Sequence, residues 1–180
     1  GTNIDYPVLQ GESNLSYINT DVYGNFALAG SIFLDSRNSS TFADVFSLLY
    51  GHHMENSQMF GDLDKYRSVD FLQQTNTGTL LVPGGRYALR VFACIVVSAS
   101  DDLIYQPLQW QADNVPAMLD RLQADALCVD QAAMDDLRTA QNLKVLCMST
   151  CSSDYTDART VVLAAMQLLS LIHISEPTRR

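Results

Sequence analysis

A chain of 180 residues with 47% hydrophobic and 17% charged residues is long enough for one domain and apolar enough to bury a sizeable core, which excludes a disordered chain. The net charge of -9 and pI near 4.5, with no cluster of Lys and Arg, exclude a phosphate-backbone surface, so no nucleic-acid partner is expected. No apolar run reaches the roughly 18 residues of a membrane span, and GTNIDYPVLQ lacks the charged-then-apolar pattern of a leader.

In chain order, DYPVLQ (5–10) reads as a first strand, SNLSYIN (13–19) as helical, and GSIFLD (30–35) and SLLYGH (47–52) as strands. MFGDLDKY (59–66) and SVDFLQQ (68–74) read as helical. GTLLV (78–82) and the long RYALRVFACIVVSAS (86–100) are strands, with the turn PGG (83–85) between them. A helix follows from about 114 to 127, where Val115, Met118, Leu119 and Leu122 recur at three- and four-residue spacing, Pro116 suits the first turn and Asp113 is the expected cap. LKVLCMST (143–150) and RTVVLAAM (159–166) are the last two strands. Many short strands punctuated by turns suggest a barrel or a sandwich. One folded domain is expected to span 1–168. The tail 169–180, polar and proline-containing at its end, is read as a reading-frame remnant outside the barrel and is assigned no function.

Four cysteines, Cys94, Cys128, Cys147 and Cys151, show no CxxC pairing, so neither a zinc site nor a redox motif is supported, and no metal or cofactor is expected. On one extended strand, at about 3.3 Å per residue, Cys147 and Cys151 share a face but lie roughly 13 Å apart, beyond the ~7 Å a disulfide spans. Cys94, Cys128 and Cys147 read as core residues. Cys151 differs because it closes its apolar run, with Arg159 opening the next one. A hairpin through Ser152–Ala158 returns Arg159 to the side of Cys151.

A thiol nucleophile needs a proton-transfer partner and a group that stabilises an oxyanion. Apart from His173 in the tail, the histidines are His52 and His53, at the end of SLLY and directly after Gly51. On spacing alone either imidazole fits. Strand alternation sends the two rings to opposite faces. Ser149 shares the Cys151 face and either lines the groove or is a satisfied core hydroxyl. Asp154 and Asp157 in the loop either orient Arg159 or are solvated.

These residues carry a family resemblance. The strand end Cys147-Met148-Ser149-Thr150-Cys151, then Arg159, and Tyr50-Gly51-His52-His53-Met54 resemble the signature of a sortase of class B type, with Cys147 where threonine is usual and Met148 where leucine is usual. IDYPVLQG (4–11), GSIFLDSRN (30–38) and LLYGHHMENSQMFGDLDKY (48–66) extend the likeness over most of residues 4–166.

The resemblance implies a mainly β fold, a sortase-type closed β-barrel of about eight strands with peripheral helices and the active site at one rim. It implies a cysteine transpeptidase in which Cys151 attacks the threonine carbonyl of a sorting-signal peptide, His52 rather than His53 protonates the departing amine, and Arg159 holds the substrate backbone and the oxyanion. Ser149 and Thr150 are the expected substrate-binding residues. The implied partners are the sorting signals of surface proteins or pilins, with a peptidoglycan cross-bridge or a pilin amine as acceptor. The implied location is extracytoplasmic, on a Gram-positive-type cell, with a membrane anchor in the full-length protein supplied by a segment absent here. Two other readings use the same residues: a cysteine endopeptidase with water as acceptor, and a non-catalytic peptide-binding barrel. With unperturbed pKa values of about 8.5 and about 6.5, roughly 3% thiolate and roughly 24% imidazolium coexist at pH 7, so a competent pair is about 1% of molecules and turnover is slow.

Overall fold

The computed structural model describes residues 1–151 and 156–169, and of Cys151 the backbone. These residues form ten strands: β1 (Val8–Leu9), β2 (Ile32–Leu34), β3 (Phe46–Tyr50), β4 (His53–Met54), β5 (Gln58–Met59), β6 (Thr77–Val82), β7 (Gly85–Ser98), β8 (Cys128–Val129), β9 (Val145–Cys151) and β10 (Ala158–Leu169). Eight form one sheet in the order β1-β2-β3-β9-β10-β7-β6, with β8 on β7, and β4 and β5 form a separate ribbon. Among the described residues four α-helices accompany them: α1 (Val69–Gln74), α2 (Asp102–Tyr105), α3 (Val115–Asp125) and α4 (Gln131–Thr139). No helix among the described residues is long and apolar enough to cross a membrane.

β3, β9 and the central parts of β7 and β10 are buried on both faces, as their continuous apolar runs require, whereas β6 is largely exposed. Alternation along β9 and β10 sends Leu146, Met148, Val162, Ala164 and Met166 into one core, shared with Ile32, Leu34, Leu63 and Leu72. It sends Val145, Cys147, Val161 and Leu163 into a second core, closed by Ile104, Met118, Leu119, Leu122 and Met134 from the helical connection between β7 and β9. Of the expected closed barrel of about eight strands with peripheral helices, the eight-stranded mainly β sheet and the helices are present. Among the described residues the strand order ends at β1 on one edge and β6 on the other, and no ladder joins them. Both edges border one apolar cleft, lined by Val8 and Leu9 from one side and Leu80 and Val82 from the other.

Several elements differ from the sequence reading, each for a local reason. Residues 13–19 form turns rather than a helix, and Asn14 spends its side chain on Asp35 and on the Ser36 amide. The first strand shrinks to Val8–Leu9 after Pro7, which has no N–H to give. The 59–66 helix is a 3-10 helix at Gly61–Arg67. In α3 the N-cap is Asn114 rather than Asp113, with Pro116 in the first turn as expected. Beyond Leu169, the end of β10, the predicted tail lies outside the described residues.

The sequence reading passed over α4, although its signals are in the chain: Ala133, Met134 and Leu137 repeat at helical spacing, and the Asp130 carboxylate caps by accepting from the Ala133 amide at 3.0 Å. The same carboxylate takes an ion pair from Arg90 of β7 at 3.0 Å, which pins the helix to the sheet. Asp130→Ala is therefore expected to lower stability by about 1–2 kcal/mol, the range for a lost N-cap. A urea midpoint unchanged from wild type contradicts this.

Candidate active site

Parallel pairing brings the functional strand ends to one rim. β3 and β9 run side by side in the register Tyr50↔Ser149, and two residues further along each chain stand His52 and Cys151. β10 returns antiparallel with Arg159 paired to Cys151, so the expected hairpin geometry is present at the backbone level. Gly51 makes the turn of β3 toward His52 possible: a Cβ there would lie 2.4 Å from Ile32 Cδ1 and 2.7 Å from the Phe60 ring, and its amide donates to the Ser149 carbonyl at 3.2 Å. Glycine is set here by packing.

A cleft of about 360 Å³ opens at this rim, lined among others by His52, Arg159, Ser149, Thr150, Tyr50 and Tyr105. His52 Nε2 donates to the Ile18 carbonyl at 2.6 Å, which fixes the proton-bearing nitrogen, because a carbonyl can only accept. His53 points elsewhere, is exposed, and bonds Asp64 at 2.9 Å. The Arg159 guanidinium donates to the Ala158 carbonyl at 2.9 Å. Ser149 shares a short hydroxyl–hydroxyl bond of 2.8 Å with Tyr105. Thr150 borders the cleft, but its side chain is buried and faces the inner core, and its hydroxyl has no hydrogen-bond partner among the described residues. The Cys151 side chain, Asp154 and His173 lie outside the described residues. Asp157 is exposed, adopts φ 64°, and accepts the Ala99 amide through its carbonyl at 2.9 Å.

The cleft wall is organised by a carboxylate that sequence reasoning did not single out. Asp35, fully buried, accepts from Arg37 Nε at 2.9 Å and Nη2 at 2.8 Å, from Tyr50 OH at 2.9 Å and from Asn14 Nδ2 at 2.9 Å. Burial pushes its pKa up, but these hydrogen bonds outweigh burial and hold it below the ordinary carboxylate value. Arg37 in turn donates to the Tyr105 carbonyl at 2.9 Å and to Gln106 Oε1 at 3.1 Å, which locks the β7–α3 connection over the rim. Tyr50 and Tyr105 stack with ring centroids 6.3 Å apart. Burial raises the pKa of both phenols, so both stay neutral hydroxyls. Arg37 is charge-compensated, whereas among the described residues no carboxylate forms an ion pair with Arg159. Arg37 and Tyr50 fall inside stretches that carry the resemblance. Tyr105 comes from a connection with no local signal.

The remaining cysteines differ from a strand-end thiol. Cys94, Cys128 and Cys147 are free and buried, in line with the core reading. Burial pushes Cys94 up to about 12 and raises Cys147 and Cys128, so all three stay protonated and unreactive.

The backbone of a strand-end cysteine, a histidine and an arginine thus meet at one rim of a mixed β sheet. The family model described as Sortase domain matches residues 1–167, and the chain belongs to the sortase family. Its similarity lies with class B. It is 32% identical over 165 residues to Sortase B of Listeria monocytogenes, covering 89% of this chain, and 29% identical over 166 residues to Sortase B of Staphylococcus aureus, covering 91%. The matched part is 64% and 66% of those two proteins, so the chain spans just under two thirds of their length. The crystal structure of a Streptococcus pyogenes class B sortase involved in pilus biogenesis superposes with a TM-score of 0.80 at 34% identity, covering 93% of this chain and 87% of that one.

Because the Asp35 pKa is depressed on folding, its contribution to stability is present above the unfolded value of about 3.9 and is lost as pH falls through the lower folded value. Asp35→Asn is expected to melt lower than wild type at pH 7 and to lose less melting temperature than wild type between about pH 5 and pH 2. Parallel melting curves across that window contradict the assignment.

Proposed function

We propose that the chain is the catalytic domain of a cysteine transpeptidase that cuts a sorting-signal peptide after threonine through a thioacyl intermediate on Cys151. The observation that carries this reading is the register: Tyr50↔Ser149 and Arg159↔Cys151 bring the three strand ends to one level of one rim.

In the proposed reaction the Cys151 thiolate attacks the threonine carbonyl carbon, and Arg159 holds the oxyanion by charge-assisted hydrogen bonds. The C–N bond then breaks. The departing amine takes a proton from His52; since Nε2–H is held by the Ile18 carbonyl, the proton given is the one on Nδ1 of the imidazolium. An acceptor amine, from a peptidoglycan cross-bridge or a pilin lysine, attacks the thioester, His52 takes its proton back, and the thiolate leaves. Ser149, bound to Tyr105 in the resting cleft, and the Thr150 backbone serve as substrate contacts. We read the sheet as a barrel whose β1 and β6 edges close by side-chain packing. Residues 1–168 are the working domain, and its location is extracytoplasmic, as for the cell-surface enzymes of this family.

The test is incubation with a panel of sorting-signal peptides, with and without an added amine, followed by mass spectrometry. The expected result is an acyl adduct on Cys151 and an amine-dependent transfer product, both abolished in Cys151→Ala. Hydrolysis alone in the presence of amine makes the chain an endopeptidase, and peptide binding with no adduct makes it a binding module. Arg159→Ala is expected to lose about 10²–10³ in kcat/KM with an unchanged melting temperature, the scale of a lost oxyanion donor. Full activity in that variant removes Arg159 from the reaction.

A further inference from the structure

We propose that Asp64 is a positioning residue that holds His52 and Arg159 in mutual alignment through their chain neighbours; the inference deepens the transpeptidase reading and rests on it. Asp64 lies in the 3-10 helix Gly61–Arg67, beneath the rim. Its Oδ2 accepts from His53 Nε2 at 2.9 Å, and its Oδ1 accepts from the Thr160 hydroxyl at 2.6 Å. His53 follows His52, and Thr160 follows Arg159. In each pair alternation turns one side chain to the cleft and the next away from it, and Asp64 meets both of the residues turned away.

The tether has work to do because the two strands are held unequally. Thr160 is fully buried in the middle of the sheet, paired with Thr150 on one side and Val96 on the other. His52 stands past the end of β3, where the main sheet's ladder has stopped and the chain enters the separate β4–β5 ribbon. Among the described residues it is held by the Phe60 amide, which donates to the His52 carbonyl at 3.0 Å, and by the Ile18 carbonyl, which belongs to a turn segment. One carboxylate bonded to both sides transfers the rigidity of β10 to the imidazole. A displacement of about 1 Å at a reacting group costs up to ~10²-fold in rate, so such a tether matters to kcat more than to folding.

The experiment uses the full chain and compares wild type with Asp64→Ala, Asp64→Asn and His53→Ala in steady-state transfer from a sorting-signal peptide to an amine, at a temperature where every variant is folded. Asp64→Ala is expected to lower kcat by about tenfold with KM within about twofold. Asp64→Asn keeps an acceptor for Thr160 and a hydrogen-bonding partner for His53, and recovers most of the loss. His53→Ala, at an exposed position that folding tolerates, loses a smaller part of kcat and adds little in the Asp64→Ala background, since both break the same tether.

A second readout does not require turnover: the rate at which iodoacetamide alkylates Cys151, located by mass spectrometry. It is expected to fall by about threefold or more in Asp64→Ala and to recover in Asp64→Asn, because the thiolate loses its aligned cationic neighbours. A kcat or alkylation rate unchanged in Asp64→Ala, or no recovery in Asp64→Asn, overturns the proposal. A wild-type chain that transfers no peptide ends the transpeptidase reading instead, and the alkylation series then decides the role of Asp64 by itself. If Asp64→Ala does not fold, His53→Ala decides, and wild-type kcat and alkylation in it overturn the tether.

Discussion

Parallel pairing of β3 with β9 is the constraint on which the site depends. Two antiparallel neighbours would send the ends of these strands to opposite rims, some distance apart along the sheet. A parallel pair in the register Tyr50↔Ser149 delivers both C-terminal ends to the same rim at the same height. The antiparallel return of β10 then costs only a short connection and sets Arg159 opposite Cys151. The long excursion between β7 and β9, which carries α2, α3 and α4, is the covering that buries the outer face of these strands. Residues 99 chain positions apart become neighbours through backbone hydrogen bonds.

Around that frame the polar groups form two layers with different tasks. On the cleft side, Asp35 organises Arg37, Tyr50 and Asn14, and through Arg37 fixes the backbone of Tyr105. Its buried charge is tolerated because four groups donate to it, and removing any of them leaves a costly unmet acceptor. On the opposite side, Asp64 joins His53 to Thr160. Cleft and support therefore use separate carboxylates. In a chain of net charge -9, Arg159 at the cleft forms no ion pair with a carboxylate among the described residues.

Much of this was legible in the sequence where the signal was local. The periodicity of Val115, Met118, Leu119 and Leu122 defined α3, and the strand runs defined β7, β9 and β10 to within a few residues. The residues of the rim were legible because they sit at strand ends in a recognisable pattern: Gly51-His52, Ser149-Thr150-Cys151 and Arg159. Spacing left His52 and His53 equivalent; in the fold His52 lines the cleft and bonds the Ile18 carbonyl, whereas His53 bonds Asp64. Asp35, Arg37 and Tyr105 were not found as a group, because their partnership joins two segments whose proximity exists only in the folded sheet. The 13–19 turn was misread as helix since the reason for its shape, the hold of Asn14 on Asp35 and Ser36, lies more than 20 residues away.

In the proposed site a thiol and an imidazole at the ends of two parallel strands share one small volume. 1,3-Dibromoacetone joins a thiol to a ring nitrogen only when the two lie within reach of its three-carbon span. Treating the wild-type protein with one equivalent and mapping the product by mass spectrometry tests this directly. The expected product is a single intramolecular link between Cys151 and His52. A link from Cys151 to His53, or alkylation of Cys151 with no link to either ring, contradicts it.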